Sequence, residues 1–201
     1  MKADYDSISE DWAKSRNELP PKDRSLFEFF LGKLPGQADV LDLGCGTGIP
    51  IARLLDSRGF RVTGIDRSKR LLQKAKTNVP RACFHKEEIE DFRASKRYDG
   101  VVLWDVLFHL PREEHGPLIE EIHDSLCPEG LFIVSSGGCG EELPPFTDSM
   151  FGVEFFYDSY PIEEFLSVCS DAGFVVKKYD LVNKPDGGRD KGRIGVVLQK
   201  T

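Results

Sequence analysis

Several features are absent from the 201-residue sequence, and each absence excludes something. There is no C-x-x-C pair. The five cysteines (Cys45, Cys83, Cys127, Cys139, Cys169) are odd in number and scattered, which argues against a disulfide framework or a zinc site and for reduced, structural thiols. His115 and His123 stand eight apart, not at the i, i+4 spacing of helical zinc ligands, so no metal is expected. No apolar run approaches the roughly 18 residues of a membrane span. The opening residues, MKADYDSISEDW, are too acidic and polar for a secretion signal, and a cytoplasmic protein is expected. No block of basic residues occurs either. The 27 Lys and Arg against 34 Asp and Glu leave a net charge of −7, without the electrostatic footprint of a nucleic-acid binder.

What is present is a soluble globular composition, 40% apolar and 30% charged, of a length that suits one domain. From Ala38 onward short aliphatic runs alternate with amphipathic stretches, the βαβ pattern of a parallel sheet covered on both faces. Strands are predicted at 38–43, 61–65, 81–84, 99–103, 130–135, 174–181 and 193–199, and helices at 49–58, 68–78, 112–126 and 161–171. Ser68 is the expected N-cap of the second of these helices. Residues 5–33 predict two further helices ahead of the first strand. Residues 136–160, rich in Gly, Pro and aromatics, read as a long loop, a kind of segment that is usually functional.

The first strand runs into three alternating glycines in VLDLGCGTGIP. A strand, a glycine turn and a helix bring backbone N–H groups to a ligand at the carboxyl edge of a sheet. The phosphate loop G-x-x-x-x-G-K-[ST] is not matched, and the dinucleotide pattern G-x-G-x-x-G fails because Ile49 stands where its third glycine belongs. A nicotinamide-dependent oxidoreductase is disfavoured accordingly. Asp42 heads the loop, where it would repel a pyrophosphate and suit a cationic group. Asp66 ends the second strand 18 residues after Gly48, about where a βαβ unit places an acid beside a ribose. The ligand expected from these residues carries an unphosphorylated ribose and a positive or amino group.

These motifs resemble those of the class I S-adenosylmethionine-dependent methyltransferases: VLDLGCGTG the first motif, GIDRS the second, YDGVVLWDVLFHL the fourth strand, SLCPEGLFIVS the turn into the fifth. The resemblance spans residues 38–135. It implies a Rossmann-like α/β fold, a seven-stranded mostly parallel sheet in the order 3-2-1-4-5-7-6 with the last strand antiparallel, within one domain over 1–201. Residues 1–35 would be lid helices and 136–160 a substrate-side loop.

The implied cofactor is S-adenosyl-L-methionine, its methionine arm at Asp42, Gly44, Cys45 and Gly46 and its ribose at Asp66. Arg67 would pack on the adenine, and Glu88 and Ile89 match the positions that bind it, with the register among Glu87, Glu88, Glu90 and Asp91 left open. Trp104 would line the pocket. Tyr5, Trp12 and Arg16 would form the lid, Arg16 pairing with the cofactor carboxylate. His109, Phe155 and Tyr157 are candidates for the acceptor side, and Asp105 for a loop-orienting residue. No catalytic residue is implied, because a sulfonium-borne methyl is already electrophilic and orientation supplies much of the rate. WDVL replaces the Asn/Asp-Pro-Pro-aromatic tetrapeptide of amino-methylating nucleic-acid enzymes, so a small-molecule acceptor is expected. A protein or RNA acceptor, or a non-catalytic module that binds the cofactor, stays open.

Overall fold

The computed structural model describes residues 4–186, 188 and 190–201. Two helices, α1 (Ser9–Ser15) and α2 (Pro21–Leu31), precede β1 (Asp39–Leu43). The chain then alternates through α3 (Ile51–Ser57), β2 (Arg61–Asp66), α4 (Lys69–Asn78), β3 (Cys83–Lys86), β4 (Tyr98–Leu103), α5 (Arg112–Ser125) and β5 (Leu126–Gly137). It continues with β6 (Phe146–Met150), β7 (Val153–Tyr157), α6 (Ile162–Asp171), β8 (Phe174–Asn183) and β9 (Arg193–Lys200). Single 3-10 turns at Ile89–Asp91 and Leu107–His109 follow β3 and β4. Among the described residues no helix is long and apolar enough to cross a membrane.

The main sheet has the order β3-β2-β1-β4-β5-β9-β8, and β9 runs antiparallel to both its neighbours while the other pairings are parallel. With β6 and β7 set aside this is the order and polarity expected from the family resemblance. Because successive side chains alternate between faces, the strands feed two cores. Leu41, Val101, Phe132 and Val196 pack with Leu118, Ile122 and Phe165 of α5 and α6. Val40, Val102, Ile133 and Val197 pack with Leu26, Phe27 and Phe30 of α2 and with Leu55 and Leu72 of α3 and α4. Strands buried on both faces explain why the sequence shows aliphatic runs rather than alternation.

The segment 136–160 is not a loop. Its second half is a hairpin, β6 against β7, closed by Phe151 and Gly152 with φ of 52° and 80°. Two successive positive φ values make the mirror-image turn whose twist matches that of a hairpin. Such turns are signalled by Asn-Gly or Asp-Gly, and a phenylalanine in the first place hides this one. The hairpin therefore escapes a reading based on turn residues. β5 extends over 126–137 rather than 130–135, and β3 lies two residues later than expected. Ser68 caps α4 as expected, its Oγ accepting from the Leu71 N–H at 3.1 Å.

Candidate active site

Strand order reverses between β1 and β4, and in open α/β sheets the crevice beyond the carboxyl ends of such strands receives ligands. The glycine loop leaves β1 at this point. Gly44 has φ +78°, and a Cβ there would meet Cγ2 of Val106 at 2.3 Å. Gly46 has φ +55°, with the Trp12 indole nitrogen 3.3 Å from where its Cβ would stand. Both conformation and space thus demand glycine, and the bare backbone is what a ligand can approach.

Asp66, buried at the end of β2, bends across to this loop: its carboxylate accepts the Gly46 N–H at 2.9 Å and the Ser68 N–H at 2.8 Å. Burial raises its pKa, and the two N–H donors act against that rise. Asp42, on β1, is more exceptional. It is buried, its Oδ2 has no hydrogen-bond partner, and burial with Asp66 nearby raises its pKa to about 7. A sealed carboxylate oxygen without a donor is costly and calls for a cation.

Two adjoining cavities meet at the loop. One, about 70 Å³, is lined by Asp66, Arg67, Ile89 and Glu90 on one side and by Tyr5, Trp104 and His109 on the other. The other, about 50 Å³, holds Asp42, Cys45, Arg16 and Asp105. Gly44, Gly46, Trp12, Trp104 and Asp105 line both. The N-terminal segment closes over them. Asp6 accepts from the Ser68 hydroxyl at 2.5 Å and from the Arg70 N–H at 3.1 Å, and Glu10 pairs with Lys74 at 2.8 Å. From these anchors on α4 the Tyr5 ring reaches Trp12 at 5.2 Å and Phe155 of the hairpin at 5.0 Å, both edge-on.

A larger cavity of about 420 Å³ is lined by Phe146 and Tyr157 of the hairpin together with Phe108, Arg193 and others. A fourth space of about 290 Å³, lined by Trp12, Arg16, His109, Tyr157 and Arg193, shares residues with both regions.

The predicted residues fare unevenly. Asp42, Gly44, Gly46, Asp66, Arg67, Ile89, Trp104, Tyr5 and Arg16 all line the crevice cavities. Cys45 reaches them too, but its thiol packs into the core against Gly64 and Phe84 and contributes no polar group. Glu88 does not line them; Glu90 does. Glu88 instead holds the Arg67 guanidinium at 2.7 Å, with Glu90 on it at 2.6 Å, because the 3-10 turn after Glu88 brings Ile89 and Glu90 inward. Phe155 is 1% exposed and packs between Tyr5 and His109, so it supports the cavity wall without lining it. Tyr157, two residues further along β7 on the same face, lines both outer cavities.

Arg16 is engaged within the protein: its guanidinium lies 4.6 Å over Trp12 and pairs with Asp105 at 2.5 Å. Asp105 is buried, with φ 59°, and is also paired with Arg193. Burial alone would raise its pKa, but Arg16 and Arg193 outweigh that and hold it below the usual carboxylate range. Arg193 continues to Asp23 at 2.6 Å, and the Trp104 indole N–H donates to the same carboxylate oxygen at 3.1 Å. Arg193 and Asp23 carry no motif signal; positions 170 apart in sequence meet only through β9 and α2. Among the described residues no group of three or more His, Cys, Asp or Glu could hold a metal ion.

A family model described as "Methyltransferase domain" matches residues 40–130, the stretch that builds this crevice. Over this stretch the chain is similar to the class I S-adenosylmethionine-dependent methyltransferases. Among curated relatives it is 32% identical over 124 residues to the carboxy-S-adenosyl-L-methionine synthase of Wolinella succinogenes, covering 57% of this chain and 51% of that one. It is 29% identical over 113 residues to a dTDP-3-amino-3,6-dideoxy-alpha-D-glucopyranose N,N-dimethyltransferase of Streptomyces fradiae, covering 55% and 44%. The chain thus spans about half the length of these relatives.

Solved structures of methyltransferases share the fold. A SAM-dependent methyltransferase of Methanosarcina mazei aligns with a TM-score of 0.74 at 20% identity, covering 91% of this chain and 98% of its own. The magnesium protoporphyrin IX methyltransferase of Synechocystis, solved with bound SAM, aligns at 0.67 and 19% identity, covering 89% and 77%.

Proposed function

We propose that this chain moves a methyl group from S-adenosylmethionine to a small-molecule acceptor. The observation that carries the cofactor reading is the orphaned Oδ2 of buried Asp42 beside a loop from which Cβ atoms are excluded. An α-ammonium group supplies the missing donor there. Arg16, which uses one terminal nitrogen on Asp105, has donors left for the α-carboxylate in the same cavity. Asp66 has acceptor capacity beyond its two backbone donors for the ribose hydroxyls. Ile89 and the Arg67 stem, held flat by Glu88 and Glu90, flank the adenine.

Bound in this way, S-adenosylmethionine supplies an electrophilic methyl group, and the protein's work is to hold the acceptor in line and keep water out. The two crevice cavities together fall well below the roughly 300–1,000 Å³ of small-molecule sites, because Tyr5 and Trp12 fill them. Cofactor entry therefore displaces the lid. The larger cavity beside the hairpin is the acceptor chamber, with Tyr157 in its wall. Such a chamber favours an enzyme over a module that only holds the cofactor, and its size favours a small acceptor over a protein or RNA. All of residues 1–201 act as one unit in this reading, with 1–35 as lid and 136–160 on the acceptor side.

Calorimetric titration with S-adenosylhomocysteine tests the cofactor reading: saturable 1:1 binding with quenching or a shift of Trp12 fluorescence is expected. Absence of binding by the folded protein refutes it. Incubation with methyl-labelled S-adenosylmethionine and a metabolite extract tests the rest, with label expected in a low-molecular-weight product.

A further inference from the structure

His109 is the one imidazole that lines both the cofactor crevice and the space leading to the acceptor chamber. Its orientation is fixed from the hairpin. Nδ1 lies 2.9 Å from the Phe156 carbonyl oxygen, which can only accept, so Nδ1 carries the proton and Nε2 bears the lone pair. The clamp is doubled, since the Asp158 N–H donates to the Phe108 carbonyl at 2.9 Å and thereby ties the end of β7 to the same turn. Nε2 makes no hydrogen bond to any described residue and is not sealed off as a buried unpartnered atom, unlike Nδ1 of His115 in the core.

Around it stand aromatic walls. Tyr157 lies 4.8 Å from the imidazole, Phe108 stacks on Tyr157 at 6.0 Å, and Phe146 stacks on its ring at 5.2 Å and 10°. Such walls suit a planar, weakly polar molecule. A bare nitrogen lone pair in this wall needs a hydrogen on the guest.

Resting on the methyl-transfer reading above, we infer that His109 Nε2 is the proton acceptor for a hydroxyl group on a planar acceptor molecule. As the acceptor's O–H bond breaks, its proton passes to Nε2 and the oxygen lone pair forms the O–CH3 bond. The electron pair of the broken S–CH3 bond stays on sulfur, which leaves as the thioether of S-adenosylhomocysteine. The proton on Nε2 then leaves to solvent with the product. Burial lowers the imidazole pKa to about 4, so the ring is neutral and able to accept at neutral pH. The charged groups that act on it are Asp105, which favours protonation, and Arg16 and Arg67, which oppose it.

Nitrogen-15 NMR of histidine-labelled protein tests the assignment without turnover. At pH 7 the His109 signals are expected to show a protonated Nδ1 and a bare Nε2, the tautomer less favoured in free histidine. With S-adenosylhomocysteine bound, phenol is expected to move the Nε2 resonance as a hydrogen bond does, and anisole, which lacks the hydroxyl, to leave it in place. A proton on Nε2, an imidazolium at pH 7, or equal responses to phenol and anisole overturns the inference. Should S-adenosylhomocysteine bind while these results fail, only the role of His109 falls. Should it not bind, the cofactor reading falls, and the tautomer measurement on the free protein still judges His109.

Discussion

The two halves of the site are built in different ways. The glycine-loop half is made of backbone and of two carboxylates on adjacent strands: positive φ at Gly44 and Gly46, Asp42 at the end of β1, Asp66 at the end of β2. The hairpin half is made of side chains gathered from remote segments: Phe108 and His109 after β4, Phe146 and Tyr157 on β6 and β7, Arg193 at the start of β9. A site built from backbone conformation tolerates few residues and so writes itself into a motif. A cavity built from side chains requires only shape and chemistry, which many residue choices supply, and so leaves little trace.

Four substitutions sharpen that contrast. The largest effect is expected for Gly44→Ala, which combines a left-handed backbone with a Cβ 2.3 Å from the Val106 methyl. Strain and overpacking of this kind cost about 2–5 kcal/mol. Urea unfolding should report that loss, and a cost below about 1 kcal/mol would show the loop free to adapt.

Asp42→Asn should move stability and binding in opposite directions. A carboxyl whose folded pKa of about 7 exceeds its unfolded value makes the folded state the stronger proton binder, so its contribution to stability falls as pH rises from about 4 to 7. Removing the charge should stabilise the protein at pH 8 by about 1–4 kcal/mol. It should also weaken S-adenosylhomocysteine binding at least tenfold, about 1.4 kcal/mol. For the unaltered chain, affinity should rise between pH 6 and 8, and calorimetry at pH 6 in buffers of different ionisation enthalpy should show proton release on binding. Affinity that is flat in pH would separate Asp42 from the ammonium group.

Asp66→Ala should weaken S-adenosylhomocysteine binding at least tenfold, about 1.4 kcal/mol, in a folded protein. Unchanged calorimetric affinity would remove the ribose role. Tyr157→Ala should have the smallest effect on that affinity, less than about twofold or 0.4 kcal/mol. Transfer of labelled methyl should nevertheless fall sharply. Equal losses in binding and transfer would show that the hairpin half is not a separate chamber.

The outcomes along the chain follow the same division. The Ser68 cap and the Asp42–Gly44–Gly46–Asp66 group are legible because each rests on a local rule, whereas the strand order follows from the family resemblance. The choice among Glu87, Glu88, Glu90 and Asp91 is open in the sequence, and Glu90 lines the cavity because a 3-10 turn decides which side chain faces inward without altering composition. Phe155 and Tyr157 are read together because period-2 alternation places residues two apart on one face, yet only Tyr157 lines a cavity. The burial of Phe155 reflects what covers that part of the face, the Tyr5 ring of the N-terminal segment. The Arg16–Asp105–Arg193–Asp23 chain of charges was seen only at Arg16 and Asp105.

The sequence by itself determined the doubly covered sheet, the resemblance to the methyltransferases and the meeting of two acids with a glycine turn. It could do so because aliphatic runs, glycine spacing and the ends of strands are local in the chain. Only the tertiary structure decided the hairpin within 136–160, the contact that orients His109 and the large cavity lined by Phe108, Phe146 and Tyr157. Those depend on a turn with no turn-forming signature, on a carbonyl 47 residues away, and on side chains brought together when β9 inserts between β5 and β8.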